Sequence, residues 1–203
     1  EALAQRAYWP AAHARVVAEI VAIAARGTRV IYIPGNHDAA LRGLCGAVVA
    51  GIELRLRAEH VAADGRRYRV SHGDEFDPTH AGRSWLTWIG ERSHRGLRWC
   101  NRSLARARRS LGLPYLPLSI ITKTHLAAAM AFIAGFEERV AADCARAGYD
   151  GHVCGHIHYG CIRQRAGTLY LNDGDWVEHC TALVEDTQGA MHLLHWSERP
   201  EWL

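Results

Sequence analysis

The chain has 203 residues, of which 49% are hydrophobic and 22% charged, with a formal net charge of +3. This is an ordinary globular composition that supports one domain and excludes a low-complexity chain. The charge total is too small to indicate nucleic acid, and no apolar run reaches the ~18 residues of a membrane-spanning helix.

Taken in chain order, Ala11–Arg26 sets Val16, Val17, Ile20, Val21 and Ile23 apart from Arg15, Glu19 and Arg26, which predicts an amphipathic helix stopped at Gly27. Thr28–Pro34 reads as a buried strand and Ile52–Ala62 as an exposed one. Asp64-Gly65 is a hairpin turn leading into the partner strand Arg66–Ser71. Residues 79–147 read as almost wholly helical, interrupted at Gly112-Leu113-Pro114 and at Pro117. Strands follow at Gly151–Cys154, Thr168–Asn172, Thr181–Glu185 and Met191–His195. Strands on both sides of one helical block predict an α/β fold, a single domain over 1–203 with a helical insertion at about 79–147.

Six cysteines (45, 100, 144, 154, 161 and 180) form no Cys-x-x-Cys pair and read as reduced thiols of a cytosolic protein. No signal-peptide pattern is visible. Thirteen histidines favour metal or acid–base chemistry. Three short motifs concentrate that chemistry, each directly after an apolar run. Gly35-Asn36-His37-Asp38 follows Val30–Ile33, Ser71-His72-Gly73-Asp74 follows Tyr68–Val70, and Gly155-His156-Ile157-His158 follows Val153–Cys154. Imidazole nitrogens and an amide oxygen at strand ends suit divalent transition metals. Any one of these histidines alone reads equally as a satisfied turn or core residue. The ordered set is a more specific signal, because clustered buried imidazoles need partners.

In order and context the motifs resemble the calcineurin-like metallophosphoesterases, whose pattern runs Asp-x-His, Gly-Asp-x-x-Asp, Gly-Asn-His-Asp/Glu, a lone His, then Gly-His-x-His. The resemblance implies a metallophosphoesterase-type β-sandwich flanked by helices in α-β-β-α layers. It also implies two divalent metal ions, Mn²⁺ before Fe or Zn, and a metal-bound hydroxide that attacks phosphorus. Carried over, Asn36, His72 and His156 ligate one metal and His158 the other. His37 assists the leaving oxygen and Asp38 holds its second ring nitrogen; the alternative for Asp38 is a cap on a helix near Ala39–Leu44. Neither of the first two motifs of the pattern stands in its place ahead of Gly35-Asn36-His37-Asp38. Asp150-Gly151-His152 precedes its strand and Gly174-Asp175 follows all the other motifs, so neither stands in the expected place. The expectation is that both segments lie upstream of Glu1, in a strand–helix–strand unit of about 30 residues. The chain by itself would then bind at most one metal well and leave apolar faces uncovered.

Arg92, Arg95, Arg98, Arg102, Arg106 and Arg109 recur at helical spacing near Trp85, Trp88 and Trp99. Such a stripe suits an anionic membrane surface or a lipid headgroup. Leu126, Met130, Ile133, Phe136 and Val140 mark a second helical face, and the pair reads as a lid for acyl chains. The alternative is a solvated arginine face beside an apolar stripe packed on the core. The acidic cluster Glu137, Glu138 and Asp143 argues against nucleic acid, and no protein partner is indicated.

Tyr8-Trp9-Pro10 with His13, the run His72–Asp77 and the run Asn172–Glu178 carry a closer likeness, to the UDP-2,3-diacylglucosamine diphosphatase group of lipid A synthesis. That likeness implies hydrolysis of the pyrophosphate of a UDP-sugar lipid by a cytoplasmic protein peripheral on the inner membrane. Arginines of the insertion, Arg95, Arg98 and Arg102 among them, would meet the phosphates. The best-known members of the group carry Gly-Asn-Arg-Asp in place of Gly-Asn-His-Asp, which puts this chain in a sister branch. Two rival functions are a phosphodiesterase for a soluble, cyclic nucleotide-like diester and a degenerate protein that only binds anionic lipid. Asn172–Glu178 reads as a turn, or as support for a ligand histidine with Asp173 the better candidate.

Overall fold

The computed structural model describes residues 9–78 and 127–196. Arg95, Arg98 and Arg102, the rest of the arginine stripe and Leu126 lie outside the described residues. The fold is mixed α/β with several sheets. It divides into two compact units, Glu1–Ala58 and Glu59–Leu203.

In the first unit, helix α1 (Ala11–Ala25) follows Pro10 and runs out at Gly27, whose φ of +94° favours a residue without a side chain. Three short strands follow: β1 (Val30–Tyr32), β2 (Val48–Val49) and β3 (Ile52–Leu54). Their order is β1-β3-β2, with β1 parallel and β2 antiparallel to β3. The strand after the helix is only half-buried, not buried as expected, and Tyr32 is exposed. Val16, Val17, Ile20, Val48 and Val49 also face solvent, so apolar faces of this unit are open.

The expected strand Ile52–Ala62 is two strands. Its first part is β3; its second, β4 (Arg57–Val61), joins a different sheet. The break comes at Arg55-Leu56, where the Arg55 N–H donates to Tyr32 O at 3.0 Å and ends the pairing with β1.

The second unit is built on a five-stranded sheet. Strand β4 turns through Asp64-Gly65 into β5 (Arg67–Ser71), as the turn signal predicts. Helix α2 (Ala127–Arg146) leads to β6 (Gly151–Cys154), and a hairpin follows of β7 (Cys161–Arg165) and β8 (Thr168–Asn172). The order is β4-β5-β6-β8-β7; β5, β6 and β8 are parallel and β7 is antiparallel to β8. Strands β9 (Thr181–Glu185) and β10 (Met191–His195) pair as a separate antiparallel ribbon.

Because successive strand residues face opposite sides, β8 sends Tyr170 one way and Leu169 and Leu171 the other. Tyr170 and Cys154 pack against Ile133, Phe136 and Val140 of α2. Tyr68 and Leu171 pack with Val153, Ile162, Leu183 and Met191, which brings the β9–β10 ribbon onto the opposite face. Among the described residues of the α2 stripe, Ile133, Phe136 and Val140 are buried as core, the alternative reading of that face, and Met130 is exposed. Glu137 is fully buried on the same helix, its carboxylate 2.7 Å from Arg163 Nη1 and 2.7 Å from Arg165 Nη2 on β7. Among the described residues no helix is long and apolar enough to cross a membrane.

Candidate functional site

Strands β5, β6 and β8 are parallel, so their carboxyl ends emerge on one edge of the sheet. In open α/β sheets that edge is where ligands bind. Three polar loops leave it: His72-Gly73-Asp74 after β5, Gly155-His156-Ile157-His158 after β6, and Asp173-Gly174-Asp175 after β8. Backbone hydrogen bonds join them. The Gly155 N–H donates to His72 O at 3.1 Å and the Asp173 N–H to Cys154 O at 3.0 Å. Asn172, fully buried, donates from Nδ2 to Gly155 O at 2.7 Å and accepts the Gly174 N–H at 3.0 Å.

Gly73 sets how close the first two loops come. Its φ is +104°, and a Cβ there would lie 3.2 Å from both Cys154 Cβ and Phe136 Cζ. With no side chain in the way, the His72 and His156 rings meet edge to face, centroids 5.3 Å apart. The His156 ring also packs over Phe136, 6.1 Å between centroids. His156 and His158 both hold left-handed backbone, at φ +63° and +54°. That conformation costs an L-residue roughly 1 kcal/mol or more, and such strain gathers at functional sites.

Each histidine of the Gly-His-x-His motif has a carboxylate on one ring nitrogen. His156 Nε2 lies 2.8 Å from Asp77 Oδ2, both side chains only 9% exposed. His158 Nδ1 lies 3.4 Å from Asp175 Oδ2, and His179 Nδ1 lies 2.7 Å from the same oxygen. Burial raises the Asp175 pKa, but hydrogen bonds from His158, from His179 and from the Glu178 and His179 N–H groups outweigh it and hold the carboxyl far below its ordinary range. Asp173 is solvent-exposed as a residue, yet its Oδ1 lies 2.8 Å from where a Cβ of Gly155 would stand. Desolvation there pushes its pKa up to about 6. Burial likewise holds the Cys154 thiol well above its ordinary value, which makes it a packing residue and no nucleophile.

The remaining sequence-predicted residues lie in the first unit. Asn36 and Asp38 are half-buried and His37 exposed, in the loop after β1. Asp38 was expected to hold the His37 ring; its carboxylate instead accepts a 2.7 Å hydrogen bond from the Tyr32 hydroxyl. Nor does it cap the 3₁₀ turn Ala39–Leu44 through its side chain. Of the nominal stand-ins, His152 is buried and shares a 3.0 Å hydrogen bond with Ser71 Oγ, while Asp150 accepts the Arg67 N–H at 2.8 Å. Both are structural.

The donor chemistry fits a borderline divalent cation. Half-buried imidazoles held by carboxylates are the usual arrangement of metal-ligating histidines. The set is partial: among the described residues no group of three or more His, Cys, Asp or Glu is arranged to hold a metal ion. Two residues escaped the sequence reading in these roles, Asp77 and His179; of the carboxylates in Asn172–Glu178 it is Asp175, and not the preferred Asp173, that meets His158. The Asp175–His179 spacing of four was the available signal. A cleft of 540 Å³ beside Asp77 is lined by Glu75, Phe76, Pro78, Arg139 and Arg146. No protein-family model matches the chain, and no curated protein matches it.

Proposed function

We propose that the chain is a metallophosphoesterase domain of the α-β-β-α type, acting on the pyrophosphate of a UDP-sugar lipid like UDP-2,3-diacylglucosamine. One observation carries the reading: His72 and the His156-x-His158 pair leave the carboxyl ends of adjacent parallel strands, with the His72 and His156 rings in contact. His72 and His156 would hold one cation, and His158 would serve a second. A divalent cation there supplies Lewis acidity toward a phosphoryl oxygen and lowers the pKa of bound water. Asp77 orients His156 by engaging Nε2, which leaves the lone pair of the neutral ring on Nδ1. The carboxyl side of the site, with Asp77, Asp173 and Asp175, offsets cationic charge.

The test combines binding and turnover. Mn²⁺ titration followed by electron paramagnetic resonance should show one bound ion per chain, lost in His72→Ala and in His156→Ala. Hydrolysis of UDP-2,3-diacylglucosamine and of bis(4-nitrophenyl) phosphate, with Mn²⁺ added, then separates a lipid pyrophosphatase from an enzyme of soluble diesters. No Mn²⁺ bound and no hydrolysis of either substrate would end the proposal.

A further inference from the structure

The Asp175 carboxylate divides its two oxygens between two tasks. Oδ1 accepts the backbone N–H groups of Val177, Glu178 and His179, at 2.8, 2.5 and 3.1 Å. Oδ2 faces two imidazoles, His179 Nδ1 at 2.7 Å and His158 Nδ1 at 3.4 Å. An ionised carboxylate only accepts hydrogen bonds, so a neutral ring facing it carries its proton on the facing nitrogen and its lone pair on the other. We propose that Asp175 is the positioning residue of His158: it fixes the Nδ1–H tautomer and so presents Nε2 as the donor nitrogen. For the cation that Nε2 would meet, the inference rests on the metallophosphoesterase reading above.

Asp175 is itself held in place. His179, 7% exposed, braces Oδ2 from four residues on, and its own Nε2 is buried with no hydrogen-bond partner among the described residues. Gly174 stands at φ +76°, where a Cβ would collide with Thr181 Oγ1. The Thr181 hydroxyl donates to Asp173 O at 2.6 Å, which closes the turn from below.

This division of labour makes Asp175→Asn a selective probe. The amide oxygen can replace Oδ1 and keep the three backbone N–H groups. The amide NH₂ must then face the imidazoles, because the reversed orientation would point donors at three donors. Both Nδ1 atoms are forced to accept, and the proton of each ring moves to Nε2. The turn persists, the tautomer inverts, and Nε2 of His158 no longer offers a lone pair.

The experiment uses the metal-free chain with ¹⁵N-labelled histidine and long-range ¹H–¹⁵N correlation at about pH 8.5, roughly two units above the ordinary imidazole pKa. His158→Gln identifies the His158 signals. Wild type should show His158 as Nδ1–H, and Asp175→Asn as Nε2–H with its fold intact. An Nε2–H tautomer in wild type, or the same tautomer in folded Asp175→Asn, overturns the assignment. If the variant does not fold, the wild-type tautomer decides alone. Failure of wild type to bind Mn²⁺ would remove the metallophosphoesterase reading, while the metal-free tautomers still uphold or overturn the role of Asp175.

Discussion

At Gly73 the absence of a side chain determines how close two histidine rings stand. Alanine there must hold a φ of +104° and set a methyl 3.2 Å from Cys154 Cβ and Phe136 Cζ. Gly73→Ala should cost about 1–3 kcal/mol in urea denaturation, the scale of overpacking, and should weaken Mn²⁺ binding by moving His156. Asp175 predicts a pH effect. Its pKa is depressed in the folded protein, so its contribution is complete above the unfolded carboxylate range near pH ~4 and is lost as the pH falls below it. Thermal melts should find Asp175→Asn less stable than wild type at pH 7, with the gap narrowing below about pH 4. A gap constant down to pH 2.5 would show that the carboxyl titrates normally. The composition Asn172-Asp173-Gly174-Asp175 announces a turn, and it is one. What the sequence cannot display is that the far side of the same carboxylate meets His158, seventeen residues earlier in the chain.

Between elements, the Glu137 ion cluster ties α2 to β7. Removing one partner of a buried ion pair costs about 3–5 kcal/mol, because a charge is left unpaired. Arg163 and Arg165 are about one-third exposed and can turn to water, so Glu137→Ala should cost less, about 2–3 kcal/mol. Glu137→Leu with Arg163→Leu and Arg165→Leu should cost less again, and equal losses in the two chemical denaturation series would refute the clamp. Phe136 is fully buried between Tyr170 and His156, so Phe136→Ala should cost about 3–5 kcal/mol. The same cluster explains why β7 is illegible in the sequence. Cys161-Ile-Arg-Gln-Arg165 shows charges where a core face is expected, and their neutralising partner comes from a helix over twenty residues away. Its turn is equally silent: Ala166 and Gly167 both hold positive φ, as a two-residue hairpin demands, without the Asn or Asp that usually signals one. Helix α1, the described part of the helical block, the Asp64-Gly65 turn and four of the later strands were legible because period and turn chemistry are local. The division of Ile52–Ala62 between two sheets was not, because strand partners are non-local.

For the whole molecule, the legible part of the candidate site is what lies at strand ends. Apolar runs mark β5 and β6, and polar motifs right after them land on one sheet edge once the strands pair in parallel. The carboxylates behind the histidines come from other loops, and only the assembled fold places them. One further feature bears on how this edge behaves in time. The loops after β5, β6 and β8 share main-chain hydrogen bonds through Gly155 and Asp173 that continue the ladder of the sheet, and the Asn172 side-chain amide adds a bond to Gly155 O. Polar loops ordinarily open by themselves at little free-energy cost, while core strands open only with the whole domain. Here the Gly155 and Asp173 amides should exchange with deuterium as slowly as those of β6 and β8, in a single cooperative opening. The histidine edge would then have no loose state of its own, and a chain that retains the sheet retains its arrangement before any ligand arrives.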